Sequence, residues 1–209
     1  QRQKTKIEKT EKAKVSALST IQKDYLKDLQ ADRDRELAVN EKRFTEGKID
    51  EIKYLDENLR IKAEFFKKEM AYLKGKNAEE RKRIAEANLE QVKLEKETQK
   101  KKFEIRSKVL DENYKKEVIE TDRRAKLIEN SDFYDGSGRL DSEIALDDIR
   151  LENAKKYYEN ILNLAKNSNQ DTLEIERKRD EELGNLENTK TDKIKSRLTI
   201  LIDDLNVQS

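Results

Sequence analysis

The sequence predicts an all-α protein of long amphipathic helices, and three observations carry that reading. Proline is absent from all 209 residues, and proline costs about 3 kcal/mol inside a helix that Lys, Glu, Leu, Arg and Ala enter at little cost. Charged residues make up 44% of the chain and hydrophobic ones only 33%, where a single compact core of this length would want roughly half its residues apolar. The apolar residues recur at steps of three and four, which keeps them on one narrow helical face. The expected architecture is therefore elongated, either coiled coil or a series of helical hairpins.

Taken in order, the first helix is expected over 3–46. Its apolar seam runs Ile7, Val15, Leu18, Ile21, Tyr25 and Leu29, then thins toward Leu37 and Phe44. Gly47 suits the left-handed position that ends a helix, Asp50 suits an N-cap, and Ile49 with Tyr54 occupy the positions of a hydrophobic staple. A second helix over 50–74 carries Ile52, Leu55, Leu59, Ala63, Phe66, Met70 and Leu73. After Gly75, Asn77 and Glu80 have the spacing of a capping box, opening a third helix over 77–130. There the seam is Phe103, Leu110, Tyr114, Val118, Thr121, Ala125 and Ile128, whose consecutive steps of four act as a stutter. Ser131–Arg139 reads as a polar loop with Asp141 capping a fourth helix over 141–167, where Tyr158 and Ile161 lie on the seam. A last break at Asn167–Gln170 precedes a second capping-box pair, Asp171 and Glu174, and a fifth helix over 171–206 bearing Leu183, Leu186, Lys190, Ile194, Leu198, Leu201 and Leu205. Grouped, residues 1–130 are a long helical or coiled-coil region with breaks near 47 and 75, 131–140 a loop, and 141–209 a helical hairpin or coiled-coil region.

A seam of two or three apolar positions in seven cannot be buried on its own helix, so it must face another helix, of this chain or of another copy. The interruptions at Lys190 and Thr121 predict an adjustable register. Composition also removes chemistry. With no histidine or cysteine, there is neither a side chain of near-neutral pKa nor a thiolate, and no nitrogen or sulfur set for zinc. No enzyme activity, cofactor or small-molecule substrate is expected. The formal charge is +1, so the mean field that gathers nucleic acid or acidic membrane is weak, and nucleic acid is not an expected partner. No apolar run approaches the roughly 18 to 20 residues that span a bilayer. The chain begins with Gln rather than Met, which suggests a processed product or a segment of something longer.

Several local patterns invite a sharper reading and yield to a blander one. The carboxylate pairs Glu79–Glu80, Asp111–Glu112, Asp147–Asp148, Glu181–Glu182 and Asp203–Asp204 have the residue types of acid/base or Mg²⁺ sites, yet helical neighbours point about 100° apart, and a solvated face is expected. Asp132, Asp135, Ser137, Asp141 and Glu143 look like calcium ligands, but their order is not that of an EF-hand. Lys100, Lys101 and Lys102 lie within a turn of Glu97 and Glu104, again a solvated face. Phe65–Phe66 and Tyr157–Tyr158 sit on or beside the seams and read as packing knobs.

Three stretches carry a family resemblance. Arg43-Phe44-Thr45-Glu46-Gly47-Lys48-Ile49-Asp50 with Tyr54, then Leu73-Lys74-Gly75-Lys76-Asn77-Ala78-Glu79-Glu80, and the run LEIERKRDEELGNL from Leu173 to Leu186 resemble the charged helical stretches of tail tape-measure proteins of long-tailed bacteriophages and prophages. The resemblance covers most of the chain and is one of style, short capped turns between Lys- and Glu-rich helices. It implies a homo-oligomer of three or more copies in the lumen of the tail tube, assembled in the host cytoplasm and carried in the virion. It further implies that helical length helps set tail length and that the protein leaves ahead of the genome. The membrane-active, peptidase-like and glycine-rich regions of such proteins have no counterpart here. The alternative is a bacterial cytoplasmic coiled-coil scaffold or spacer that mediates protein–protein interaction.

Overall fold

Helix ends fall where short-range side-chain chemistry can satisfy the free backbone groups of a first or last turn. In the computed structural model the described residues are 18–131 and 136–207, and they form α1 (Thr20–Thr45), α2 (Glu51–Leu73), α3 (Ala78–Glu129), α4 (Gly136–Asn167) and α5 (Leu173–Val207). The chain is all-α, as its composition and periodicity predict. Seam positions Ile7 and Val15 lie outside the described residues.

Ser19 opens α1 through a capping box, its Oγ accepting from Gln22 N–H at 3.2 Å while Gln22 Oε1 accepts from Ser19 N–H at 3.0 Å. Gly47 ends the turn after α1 with φ +69°, a conformation in which a Cβ would be strained. Asp50 then accepts from Lys53 N–H at 2.8 Å and starts α2. Two left-handed residues, Lys74 and Gly75, follow α2. Asn77 Oδ1 accepts from Glu80 N–H at 2.8 Å, but the Glu80 carboxylate reaches back to Lys76 N–H at 2.9 Å rather than to Asn77 N–H. The capping box is thus displaced by one residue.

Two expected caps differ more. Asp141 does not start α4, which already begins at Gly136; it sits in the second turn, where its carboxylate accepts from the Arg197 guanidinium at 2.9 and 3.2 Å. α4 thus includes Gly136 and Gly138, although each glycine costs roughly 1 kcal/mol relative to alanine inside a helix. Asp171 accepts from Leu173 N–H at 3.0 Å, so α5 starts two residues later than expected.

The chain divides into two compact units, residues 1–102 and 103–209, with α3 contributing its first part to one and its second part to the other. In the first unit α1 and α2 form an antiparallel hairpin. Leu29, Phe65 and Phe66 pack with Ala87 of α3, joined by Met70 and Leu94; Leu18, Leu26 and Leu73 pack with Tyr72 and Ile84. Near the turn the buried Asn40 donates from Nδ2 to Tyr54 O at 3.1 Å and to Asn58 Oδ1 at 2.9 Å. A slip of one helix along the other would break both bonds, so this pair defines register in a seam that apolar contacts alone leave adjustable. α3 is tied on by Arg83–Glu69 at 2.7 Å, Lys102–Asp56 at 2.6 Å and Gln22–Glu80 at 2.9 Å.

In the second unit α4 folds back on α5 through a turn in which Asn169 has φ +51°. The inward stripe of α4 is Leu146, Leu151, Ala154, Tyr158, Ile161, Leu162 and Ala165. Ala154 and Ala165 are fully buried, and their small side chains let the helices approach closely. No helix among the described residues is long and apolar enough to cross a membrane.

Candidate functional site

The most concentrated chemistry lies in the second unit, where three tyrosines from two helices converge on two carboxylates. Tyr114 of α3 and Tyr158 of α4 donate their hydroxyls to the two oxygens of Glu182 on α5, Tyr158 at 2.8 Å. Tyr157 donates to Asp111 Oδ1 at 2.6 Å. Tyr157 also stacks on Tyr114 with centroids 4.5 Å apart and meets Tyr158 edge-on at 4.9 Å. One aromatic cluster therefore joins α3, α4 and α5, its rings packed and its hydroxyls satisfied. Burial raises the pKa of each tyrosine, and the hydrogen bond from each hydroxyl to its carboxylate raises it further.

A pH dependence follows from that direction. The folded chain keeps tyrosine protons that the unfolded chain releases above about pH 10, so this contribution is fully present below pH 10 and is lost as pH rises further. The urea midpoint is expected to fall more steeply between pH 9.5 and about 11 than in a variant carrying Tyr114→Phe, Tyr157→Phe and Tyr158→Phe. Equal slopes for the two chains would contradict the role assigned to the cluster.

Toward the open end of the α4–α5 hairpin, ionic rungs flank the buried Leu146 and Leu151. Asp141 meets Arg197 at 2.9 Å, Glu143 meets Lys193 at 3.5 Å, Asp147 meets Lys193 at 2.7 Å, Asp148 meets Lys190, and Lys155 meets Glu187 at 3.9 Å. Asp147 is only 1% exposed and also binds Arg150 at 2.7 Å, which reaches on to Asp122 of α3 at 2.9 Å. Lys190, the expected flaw in the seam, is thus a rung. Thr121, the other interruption, is buried and donates to Glu117 O at 2.7 Å.

The adjacent carboxylates depart from the expected solvated face in a regular way. In four of the five pairs one member turns inward and is bonded while its neighbour stays exposed: Glu80, Asp111, Asp147 and Glu182 against Glu79, Glu112, Asp148 and Glu181. Only Asp203–Asp204 is exposed at both positions. The reason is the 100° step between helical neighbours, which lets one carboxylate face a partner helix while the next faces water. Bonds from Gln22 and Lys76 hold Glu80 below the usual glutamate range. Among the described residues no group of three or more His, Cys, Asp or Glu is arranged to hold a metal ion. Of the calcium-like set, Asp132 and Asp135 lie outside the described residues, while Asp141 and Glu143 are committed to Arg197 and Lys193.

The seam residues separate by environment. Leu18, Phe66, Tyr158 and Ile161 are buried. Ile52, Leu55, Leu59, Met70, Phe103, Leu110, Tyr114, Val118, Ile128, Leu183 and Leu186 are half-buried within their own units. Ile21 and Tyr25 are exposed, as are Ile194, Leu198, Leu201 and Leu205 of α5. Tyr25 nevertheless stacks on Tyr72 at 3.9 Å. Phe65 and Phe66 pack in the first unit's core, with Arg33 over the Phe65 ring at 4.5 Å. No spacing in the sequence pairs Glu182 and Asp111 with the tyrosines; the signal it carries is that Tyr114 and Tyr158 hold seam positions, where a hydroxyl must find an acceptor.

Fold and contacts together define a class, an all-α protein of helical hairpins cross-linked by ionic and tyrosine–carboxylate contacts. Compared with family models, curated proteins and solved structures, the chain matches none.

Proposed function

We propose that this chain is a structural helical segment of a tail tape-measure protein from a long-tailed phage or prophage. In this reading it acts as a homo-oligomer in the lumen of the tail tube, helps set tail length and leaves the tube ahead of the genome. Its partners are its own copies and the tube, and it performs no chemistry. The observation that carries the reading is α3, which runs 52 residues without interruption and so spans about 78 Å at 1.5 Å per residue. Length proportional to residue number is the property a measuring part needs. The exposed rung Lys155–Glu187 adds support, because exposed ion pairs part in water at little cost.

A bacterial coiled-coil scaffold or spacer is the second reading. The α1–α2 and α4–α5 hairpins favour it, since each buries part of its seam inside one chain. Tail length separates the two. In-frame deletion of residues 136–207 from the encoding gene is expected to shorten tails, by about 110 Å if those residues run end to end as helix and by about half that if the hairpin persists. Tails of unchanged length in electron micrographs would overturn the tape-measure reading.

A further inference from the structure

Tyr25 of α1 and Tyr72 of α2 meet at the open end of their hairpin, away from the turn at Gly47. Their rings are 24° from parallel with centroids at 3.9 Å, closer than the roughly 4.5 Å at which aromatic pairs usually begin. Packing beneath them fixes the contact. Each tyrosine has a buried leucine as its chain neighbour, Leu26 and Leu73, and both leucines pack with Tyr72 in one cluster. Tyr25 is nevertheless 39% exposed, so its phenol is open to solvent. Of the seven tyrosines, Tyr134 lies outside the described residues and Tyr54 stacks on Phe44. The one other stack of two tyrosines among the described residues, Tyr114 on Tyr157, is held differently. Both of its rings are half-buried and their hydroxyls are tied to Glu182 and Asp111, which keeps the rings from turning toward each other.

We propose that Tyr25 and Tyr72 form an oxidative cross-linking site, a covalent clasp for the open end of the α1–α2 hairpin. The chain is the substrate, and its partner is a one-electron oxidant of phenols, such as a peroxidase with hydrogen peroxide. Each ring loses one electron and its hydroxyl proton and becomes a phenoxyl radical. The two radicals pair their odd electrons in a carbon–carbon bond between ring positions ortho to the hydroxyls. The hydrogen on each joined carbon then leaves as a proton while the ring oxygen takes one up, which restores both phenols. In all, two electrons and two protons pass to hydrogen peroxide, which becomes two waters, and the chain is lighter by two hydrogens. Rings held in contact couple at an effective concentration that separate chains cannot match, so the bond forms within one chain. It closes residues 25–72 into a loop, a constraint that a chain without cysteine cannot obtain from a disulfide. Such closure stabilises by restricting the unfolded chain.

The site is independent of the tail reading, and the tail-length experiment leaves it untouched. Its own test treats the full chain, dilute, with a peroxidase and one equivalent of hydrogen peroxide. Dityrosine fluorescence is expected in the fraction that keeps the 24.7 kDa mass of one chain. Tryptic peptides 24–27 and 69–74 are expected to be joined, with two hydrogens lost. Tyr72→Phe, which keeps the packed ring, is expected to abolish this product, whereas Tyr157→Phe is expected to leave it in place. Treatment is expected to raise the urea midpoint of the unsubstituted chain and not that of the Tyr72→Phe variant. The absence of dityrosine, dityrosine mainly in chains of doubled mass, joined peptides that mainly carry other tyrosines, a product that Tyr72→Phe leaves intact, or an unshifted urea midpoint would each overturn the proposal.

Discussion

Replacing Asp147 by alanine is expected to destabilise the α4–α5 hairpin by about 2 to 3 kcal/mol, a large share of the total for a domain of ordinary stability. The carboxylate is 1% exposed and holds two cations, Arg150 at 2.7 Å and Lys193 at 2.7 Å. Removing it leaves each cation with one remaining partner, Asp122 for Arg150 and Glu143 for Lys193. Breaking a fully buried ion pair costs about 3 to 5 kcal/mol. The two cationic side chains here are 23% and 22% exposed, so water relieves part of that penalty and the lower figure applies. Asp148→Ala, one residue on, removes a contact to an exposed carboxylate and is expected to cost under about 1 kcal/mol. Urea unfolding gives both numbers, and amide exchange in α4 and α5 is expected to quicken first in the Asp147 variant. Equal costs at the two positions would show that the inward turn of Asp147 carries no energetic weight.

Leu73→Ala is expected to cost about 3 to 4 kcal/mol, within the range for deleting a buried leucine side chain. Leu73 is the last residue of α2 and is fully buried, packed with Leu18 and Leu26 of the neighbouring segment. The backbone directly after it is held left-handed at Lys74 and Gly75, which limits how far the chain can collapse into the vacated space. Leu73→Met, which nearly conserves volume, is expected to stay under about 1.5 kcal/mol. Both are read from urea midpoints at constant slope. A loss near 1 kcal/mol for the alanine variant would mean that the site closes over the cavity.

How much of this was legible beforehand depended on the range of the interaction. Gly47, Gly75 and Asp50 punctuate the chain as read, because a cap acts across three or four residues and the residue types advertise it. Asp141 and Asp171 had the same appearance without the same outcome. Asp141 lies in the second turn of α4 and pairs with Arg197, 56 residues away, a contact that no local rule names. The carboxylate doublets show the limit most clearly. Asp147 and Asp148 are indistinguishable in sequence, and only the position of α5 and α3 around α4 makes one a buried hub and the other a surface rung. Lys190 likewise reads as a flaw in an apolar seam until Asp148 stands opposite it. The tyrosine cluster needed two partners that no spacing rule selects, Glu182 at 24 residues from Tyr158 and 68 from Tyr114, and Asp111 at 46 from Tyr157.

By itself the sequence determined that this protein is helical, where its helices stop, and that each bears a stripe too narrow to be buried alone. Those outcomes follow from propensity, period and capping, energies exchanged between residues a turn apart. The tertiary structure alone decided which stripe meets which, and which carboxylate of each doublet turns inward. It also decided that the end of α5 keeps its leucines outside while lysines and an arginine face α4. The physical reason is degeneracy: stripes of similar width and spacing fit many partners equally, and the choice among them rests on a few polar contacts, Asn40 with Asn58, Asp147 with Lys193 and Glu182 with its tyrosines. Those contacts exist only once distant helices lie side by side.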